Sequence, residues 1–128
     1  MNKKNILIVD DEKFVRYALT KELQEEKAFE VESAGSGEEA LEKAKQKNYD
    51  LFFIDLVMPG MDGVETCKLL KKIKPSAQYI CFTGIFDRVL SRRNVDHIEA
   101  DGPTRLLYKP FRERTFIETA QEALQAVS

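Results

Sequence analysis

Tyr49-Asp50-Leu51-Phe52-Phe53-Ile54-Asp55-Leu56-Val57-Met58-Pro59-Gly60-Met61-Asp62-Gly63 is the stretch that decides the fold. Leu51 to Ile54 form a short, unbroken apolar run, as in a strand covered on both faces within a parallel sheet. A single carboxylate, Asp55, stands at its end. Pro59 and Gly60 stop the strand and turn the chain, and Asp62 is placed to cap a helix starting near Gly63. An acid closing a buried central strand does nothing for packing. The carboxyl edge of an open α/β sheet is, however, where ligands bind.

Outward from this stretch the chain alternates strands and helices. Residues 5–9 are a second apolar run, ending in the pair Asp10-Asp11. A helix is expected over 13–25, with Val15, Ala18, Leu19 and Leu23 at helical spacing, then an alternating edge strand at 29–32. Ser36 is a candidate cap for a helix running to Gln46, with Ala40, Leu41 and Ala44 inward. After the central strand, a helix to about Lys74 carries Val64, Cys67, Leu70 and Ile73, and Pro75 ends it. Strands are expected at 79–82 and 106–108, and a last helix at 113–127 with Phe116, Ala120, Ala123 and Val127 on one face. Between 84 and 104 the pattern is poor: one helix within 87–94 and a turn at 101–103. Five such alternations imply an α/β domain, a doubly wound five-stranded parallel sheet with right-handed crossovers and helices on both faces.

At 128 residues the chain suits one domain, spanning 1–128, able to bury a core without staples. Lys and Arg number 20 against 22 Asp and Glu, a net charge of −2, which argues against direct nucleic-acid binding. No apolar run reaches membrane-spanning length and no signal-peptide profile opens the chain, so a cytoplasmic protein is expected. Cys67 and Cys81 read as reduced thiols in or near the core. His97, the only histidine, reads as a loop residue.

Four strands are followed at once by a polar or charged residue: Asp10-Asp11, Asp55, Thr83 and Lys109. A parallel sheet gathers these ends at one edge. Three adjacent carboxylates repel one another, and a bound divalent cation resolves the conflict. Oxygen donors suit Mg²⁺, which favours phosphate as a co-ligand. Lys109 and the Thr83 hydroxyl add a positive charge and a donor, and Asp55 is placed to act as a nucleophile that forms an aspartyl phosphate. Taken singly, Thr83 would be a turn residue, Lys109 a solvated charge and Asp10-Asp11 helix caps.

With these motifs in view the chain resembles response-regulator receiver domains of two-component signalling over nearly its whole length. The resemblance is carried by Ile-Leu-Ile-Val-Asp10-Asp11-Glu12, Asp55-Leu-Val-Met-Pro59-Gly60-Met-Asp62-Gly63, Phe-Thr83-Gly84 and Tyr-Lys109-Pro110-Phe111. It implies the flavodoxin-like strand order 2-1-3-4-5 and a phosphoacceptor role for Asp55, with the phosphoryl group coming from a sensor histidine kinase or histidine phosphotransfer protein. Mg²⁺ would be held by Asp11, Asp55 and the backbone carbonyl of Val57, with Asp10 acting mainly through water. Lys109, on a cis bond to Pro110, and Thr83 would contact phosphoryl oxygens. Such a domain is a signalling module rather than a turnover enzyme; it catalyses its own phosphorylation and dephosphorylation and then signals to an output partner or domain.

Three features depart from the pattern. Leu106 stands where an aromatic is usual, Val57 where polar residues are frequent, and the segment before the last strand is longer and lacks the familiar Gly-Ala. A haloacid-dehalogenase-type phosphatase would need an acid at Val57, and a flavodoxin would need a phosphate loop where Asp10-Asp11 stand. The chain ends soon after its last helix, as in a stand-alone receiver or one taken from a longer regulator.

Overall fold

The computed structural model describes residues 3–58, 60–83, 104–108 and 111–125. The expectations for 84–103, His97, Lys109-Pro110 and Val127 lie outside the described residues. Five strands, β1 (Lys4–Val9), β2 (Phe29–Ala34), β3 (Leu51–Asp55), β4 (Gln78–Thr83) and β5 (Arg105–Tyr108), form one parallel sheet in the order β2-β1-β3-β4-β5. The described helices are α1 (Lys13–Leu23), α2 (Gly37–Gln46), α3 (Gly63–Ile73) and α4 (Thr115–Gln125).

The central strand explains the two-layered core. Side chains alternate across a strand, so Phe52 and Ile54 pack with Ala40 and Ala44 of α2 and Val64, Cys67 and Leu70 of α3. Leu51 and Phe53 pack on the opposite face with Leu19 and Leu23 of α1 and Phe116, Ile117 and Ala120 of α4. The side chains of Leu51 to Ile54 are all fully buried, which is why the sequence there is apolar without alternation. Rings add directional packing: Phe52 stacks on Tyr79 at 5.2 Å, and Phe82, Phe111 and Phe116 meet edge to face.

Both expected helix caps form. Ser36 accepts the Glu39 N–H at 3.1 Å and Asp62 accepts the Glu65 N–H at 2.8 Å. Helix α1 differs: it opens on Glu12 with no side-chain cap, while the Asp10 carboxylate accepts the Glu12 N–H at 2.8 Å. Asp10 therefore closes the turn before the helix rather than capping its first turn.

Some boundaries and faces depart from the sequence reading. Helix α4 begins at Thr115 rather than 113, and β4 includes Thr83 as its last residue. Ile73 is 41% exposed and Ala18 faces solvent, while Lys71 is buried at 8%. The Lys71 amine sits over the Tyr79 ring and bonds the Thr104 hydroxyl, so its charge has partners where α3 meets β4 and β5. Helical spacing alone assigned that inward position to Ile73.

Candidate functional site

The strand order reverses at β1: the chain goes out to β2 and returns across to β3. This makes the carboxyl ends of β1 and β3 the switch point, where the crossovers diverge and leave a crevice. Val9 pairs with Ile54, so the next residues, Asp10 and Asp55, face each other across the crevice. Carboxylate oxygens of Asp10, Asp11 and Asp55 all lie within 4.8 Å of one another. Asp10 is buried, Asp55 half-buried and Asp11 exposed, so the cluster opens from the sheet edge to solvent.

The backbone around each acid is tied down. Asp10 donates its N–H to the Ala34 carbonyl at 3.1 Å and its own carbonyl accepts from Arg16 Nη1 at 2.7 Å. The Asp55 Oδ1 accepts the Val57 N–H at 3.0 Å, which fixes the carboxylate plane. Leu56 continues the ladder, donating to the Phe82 carbonyl at 3.0 Å. Beyond it, Gly60 turns the chain at φ 74°, a conformation glycine adopts without strain. The chain then returns so closely that a Cβ on Gly63 would lie 1.9 Å from the Asp55 carbonyl oxygen. Only a hydrogen fits there, and this lets α3 start directly against the strand that carries Asp55.

Thr83 closes the neighbouring strand. Asp55 pairs with Phe82, which puts Thr83 one residue beyond Asp55 along the same edge. Its side chain is 1% exposed, and its hydroxyl has no hydrogen-bond partner among the described residues. A buried hydroxyl without a partner costs roughly 1–3 kcal/mol. The three acids add Coulombic repulsion of roughly 1–3 kcal/mol per ionised pair at such separations. Both costs are relieved by a ligand that carries a cation and acceptor oxygens.

Of the residues singled out from sequence, the fold brings Asp10, Asp11 and Asp55 together, with Thr83 and Val57 beside them. Val57 is 49% exposed. Lys109 is outside the described residues. Arg16 was not singled out and offers only its place one turn into α1; Gly63 stands in the motif after Asp55, but its close approach to β3 shows only in the fold. Cys67 and Cys81 are reduced thiols, fully buried, with sulfurs 4.0 Å apart on α3 and β4. The thiol–thiol contact and burial push Cys81 well above the usual thiol range, which leaves it a poor nucleophile at neutral pH.

A parallel 2-1-3-4-5 sheet with an acidic cluster at its switch point defines a flavodoxin-like α/β domain. The chain belongs to the response regulator receiver domain family, whose model matches residues 6–121. It is 34% identical to the chemotaxis protein CheY of Halobacterium salinarum, over 96% of this chain and 98% of that protein. It is 33% identical to the transcriptional regulatory protein ResD of Bacillus subtilis, over 99% of this chain; there it spans only 50% of its relative's length. Among solved structures, the response regulator TrrA of Thermotoga maritima, in complex with Mg²⁺-BeF, is 35% identical with a TM-score of 0.78, over 94% of this chain and 99% of that one.

Proposed function

We propose that this domain, the single functional unit of residues 1–128, is a phosphoacceptor in which Asp55 takes a phosphoryl group from a phosphohistidine on a sensor kinase or histidine phosphotransfer protein. The observation that carries this reading is the convergence of Asp10, Asp11 and Asp55 within 4.8 Å beside the buried hydroxyl of Thr83, which has no hydrogen-bond partner among the described residues. The three carboxylates are hard oxygen donors at the mouth of a crevice and suit Mg²⁺. Asp11, Asp55 and the Val57 carbonyl would hold the ion, Asp10 acting mainly through water; when bound, it neutralises the charge of the incoming phosphoryl group.

The chain's own residues do the rest. A carboxylate oxygen of Asp55 attacks phosphorus, the P–N bond to the donor imidazole breaks, and that electron pair leaves with the imidazole. The Val57 N–H orients the Asp55 carboxylate, the Thr83 hydroxyl donates to one phosphoryl oxygen, and Lys109 pairs with another. Positioning and charge neutralisation dominate such a reaction, with little acid–base work. The domain catalyses its own phosphorylation and dephosphorylation in the cytoplasm and passes the state on to an output partner or domain. Its net charge of −2 fits a module that does not itself bind nucleic acid. No helix among the described residues is long and apolar enough to cross a membrane.

Incubation with a small-molecule phosphodonor and Mg²⁺ should add one phosphoryl group, read by intact-mass spectrometry, and Asp55→Asn should accept none. Equal incorporation in the variant would overturn the assignment.

A further inference from the structure

Arg16 is tied to the acidic cluster without belonging to it. Its Nη1 donates to the main-chain carbonyl of Asp10 at 2.7 Å. Asp10 is also held by the Ala34 carbonyl and the Glu12 N–H. Because α1 has no side-chain cap, the guanidinium supplies a tie between the helix and the turn that presents Asp10 and Asp11. It also lies against the turn between β2 and α2. A methyl group on Gly35 would meet Nη1 at 3.2 Å and Cζ at 3.5 Å, and would meet Glu39 Oε1, which accepts the Gly35 N–H at 2.9 Å, at 3.6 Å. One planar fork thus spans two loops on the ligand-binding edge of the sheet.

We propose that Arg16 is a positioning residue for the cation site, holding the turn of Asp10 and Asp11 in the geometry that lets them face one ion together with Asp55. The inference rests on the Mg²⁺ reading above. Two effects of Arg16 on cation affinity have opposite signs, and this makes the assignment testable. As a positive charge near the site, Arg16 repels Mg²⁺, so removing the charge alone would tighten binding. As a latch, Arg16 preorganises the donors, so removing it loosens binding. Hydrogen-bonded groups that orient metal ligands typically change affinity by 10–100-fold, more than a solvent-screened charge contributes.

The experiment titrates Mg²⁺ into the wild type, Arg16→Met, Arg16→Lys and Asp11→Ala, following backbone amide NMR shifts at Asp11 and Leu56. Dispersion of the same spectra reports folding. Arg16→Met keeps an apolar stem without donor or charge and should weaken Mg²⁺ by about tenfold. Arg16→Lys, which retains one donor for the single carbonyl bond, should recover part of that loss. Gly35→Val, which crowds the guanidinium but leaves its charge, should weaken binding in the same direction and serves if Arg16→Met does not fold. Folded Arg16→Met with unchanged or tighter Mg²⁺ binding overturns the proposal, even if its urea midpoint falls. Arg16→Lys no better than Arg16→Met also overturns it, because the bond to Asp10 would then not be the cause. A wild type with no Mg²⁺-dependent shifts, or an Asp11→Ala variant that binds as well as the wild type, overturns the cation reading itself. Intact wild-type binding lost in Asp11→Ala but unchanged in Arg16→Met refutes Arg16 alone.

Discussion

Replacing Gly63 with alanine tests the contact between the start of α3 and the strand that carries Asp55. The added Cβ would stand 1.9 Å from the Asp55 carbonyl oxygen, 2.6 Å from Leu56 Cα and 2.7 Å from the Asp55 carbonyl carbon. All three are backbone atoms, so no rotamer change relieves the clash. To reach ordinary contact, α3 must move away by roughly 1.5 Å, beyond what a close-packed interior absorbs cheaply. That movement also stretches the Gly63 N–H bond to the Leu56 carbonyl, now 3.2 Å, at about 1 kcal/mol. Overpacking adds about 1–3 kcal/mol, and alanine returns less than about 1 kcal/mol of helix propensity. The net cost is about 2 kcal/mol, a fall in Tm on the order of 8 °C for a domain of this size. Gly37→Ala is the control. There a Cβ meets the Thr66 hydroxyl at 2.2 Å and Met61 Sδ at 2.9 Å; Met61 can turn aside, and the buried Thr66 hydroxyl must give up its 2.8 Å bond to the Asp62 carbonyl, a cost of about 1 kcal/mol. Urea unfolding followed by circular dichroism measures both. A Gly63→Ala variant within about 0.5 kcal/mol of wild type, or costing no more than Gly37→Ala, would refute the close-approach argument.

Two further predictions follow from named groups. Burial, helped by the Glu32 charge and hydrogen bond, pushes the Tyr49 phenol up to about 12; the folded pKa exceeds the unfolded one of about 10, so its contribution to stability holds below about pH 10 and is lost between there and about pH 12. Tyr49→Phe should therefore be less stable by about 1 kcal/mol at neutral pH with the gap closing above about pH 10, and parallel urea midpoints across that range would refute it. On phosphorylation, hydrogen exchange should change mainly after Thr83 and through 84–104 rather than in α4; changes confined to β5 and α4 would sink that expectation.

The fold was legible because its decisive positions obey local rules. The apolar run at Leu51 to Ile54, short and closed by turn residues, suits a strand covered on both sides, and Ser36 and Asp62 announce their helices by capping chemistry. Helix faces were less legible where long side chains reach across boundaries. Lys71 carries its charge past Tyr79 to the Thr104 hydroxyl, so its stem buries where a hydropathy pattern expects Ile73. The Cys67–Cys81 contact joins residues on a helix and a strand, and no spacing rule in one chain anticipates such a tertiary pair.

The acidic cluster was legible for a different reason: strand ends in a parallel sheet share one edge, so Asp10, Asp11, Asp55 and Thr83 converge once the strands are placed. What supports them is not written in residue type. Arg16 acts through a main-chain carbonyl, and Gly63 through the absence of a side chain. The same alternation also bears on how a signal leaves the site. Cys81 pairs with Leu106 and Thr83 with Tyr108; Leu106 packs against the α2–α3 core layer that includes Cys81, and Thr83, two residues after Cys81, shares that side of the sheet. A ring at position 106 could fill space that Thr83 vacates, and its hydroxyl could bond at the surface. Leucine offers neither, yet the contacts proposed above for Thr83 and Lys109 with a phosphoryl group would not require a ring. Any shift must come from differential contacts with that group, and the segment leaving Thr83 is the shortest covalent route from those contacts to the rest of the chain.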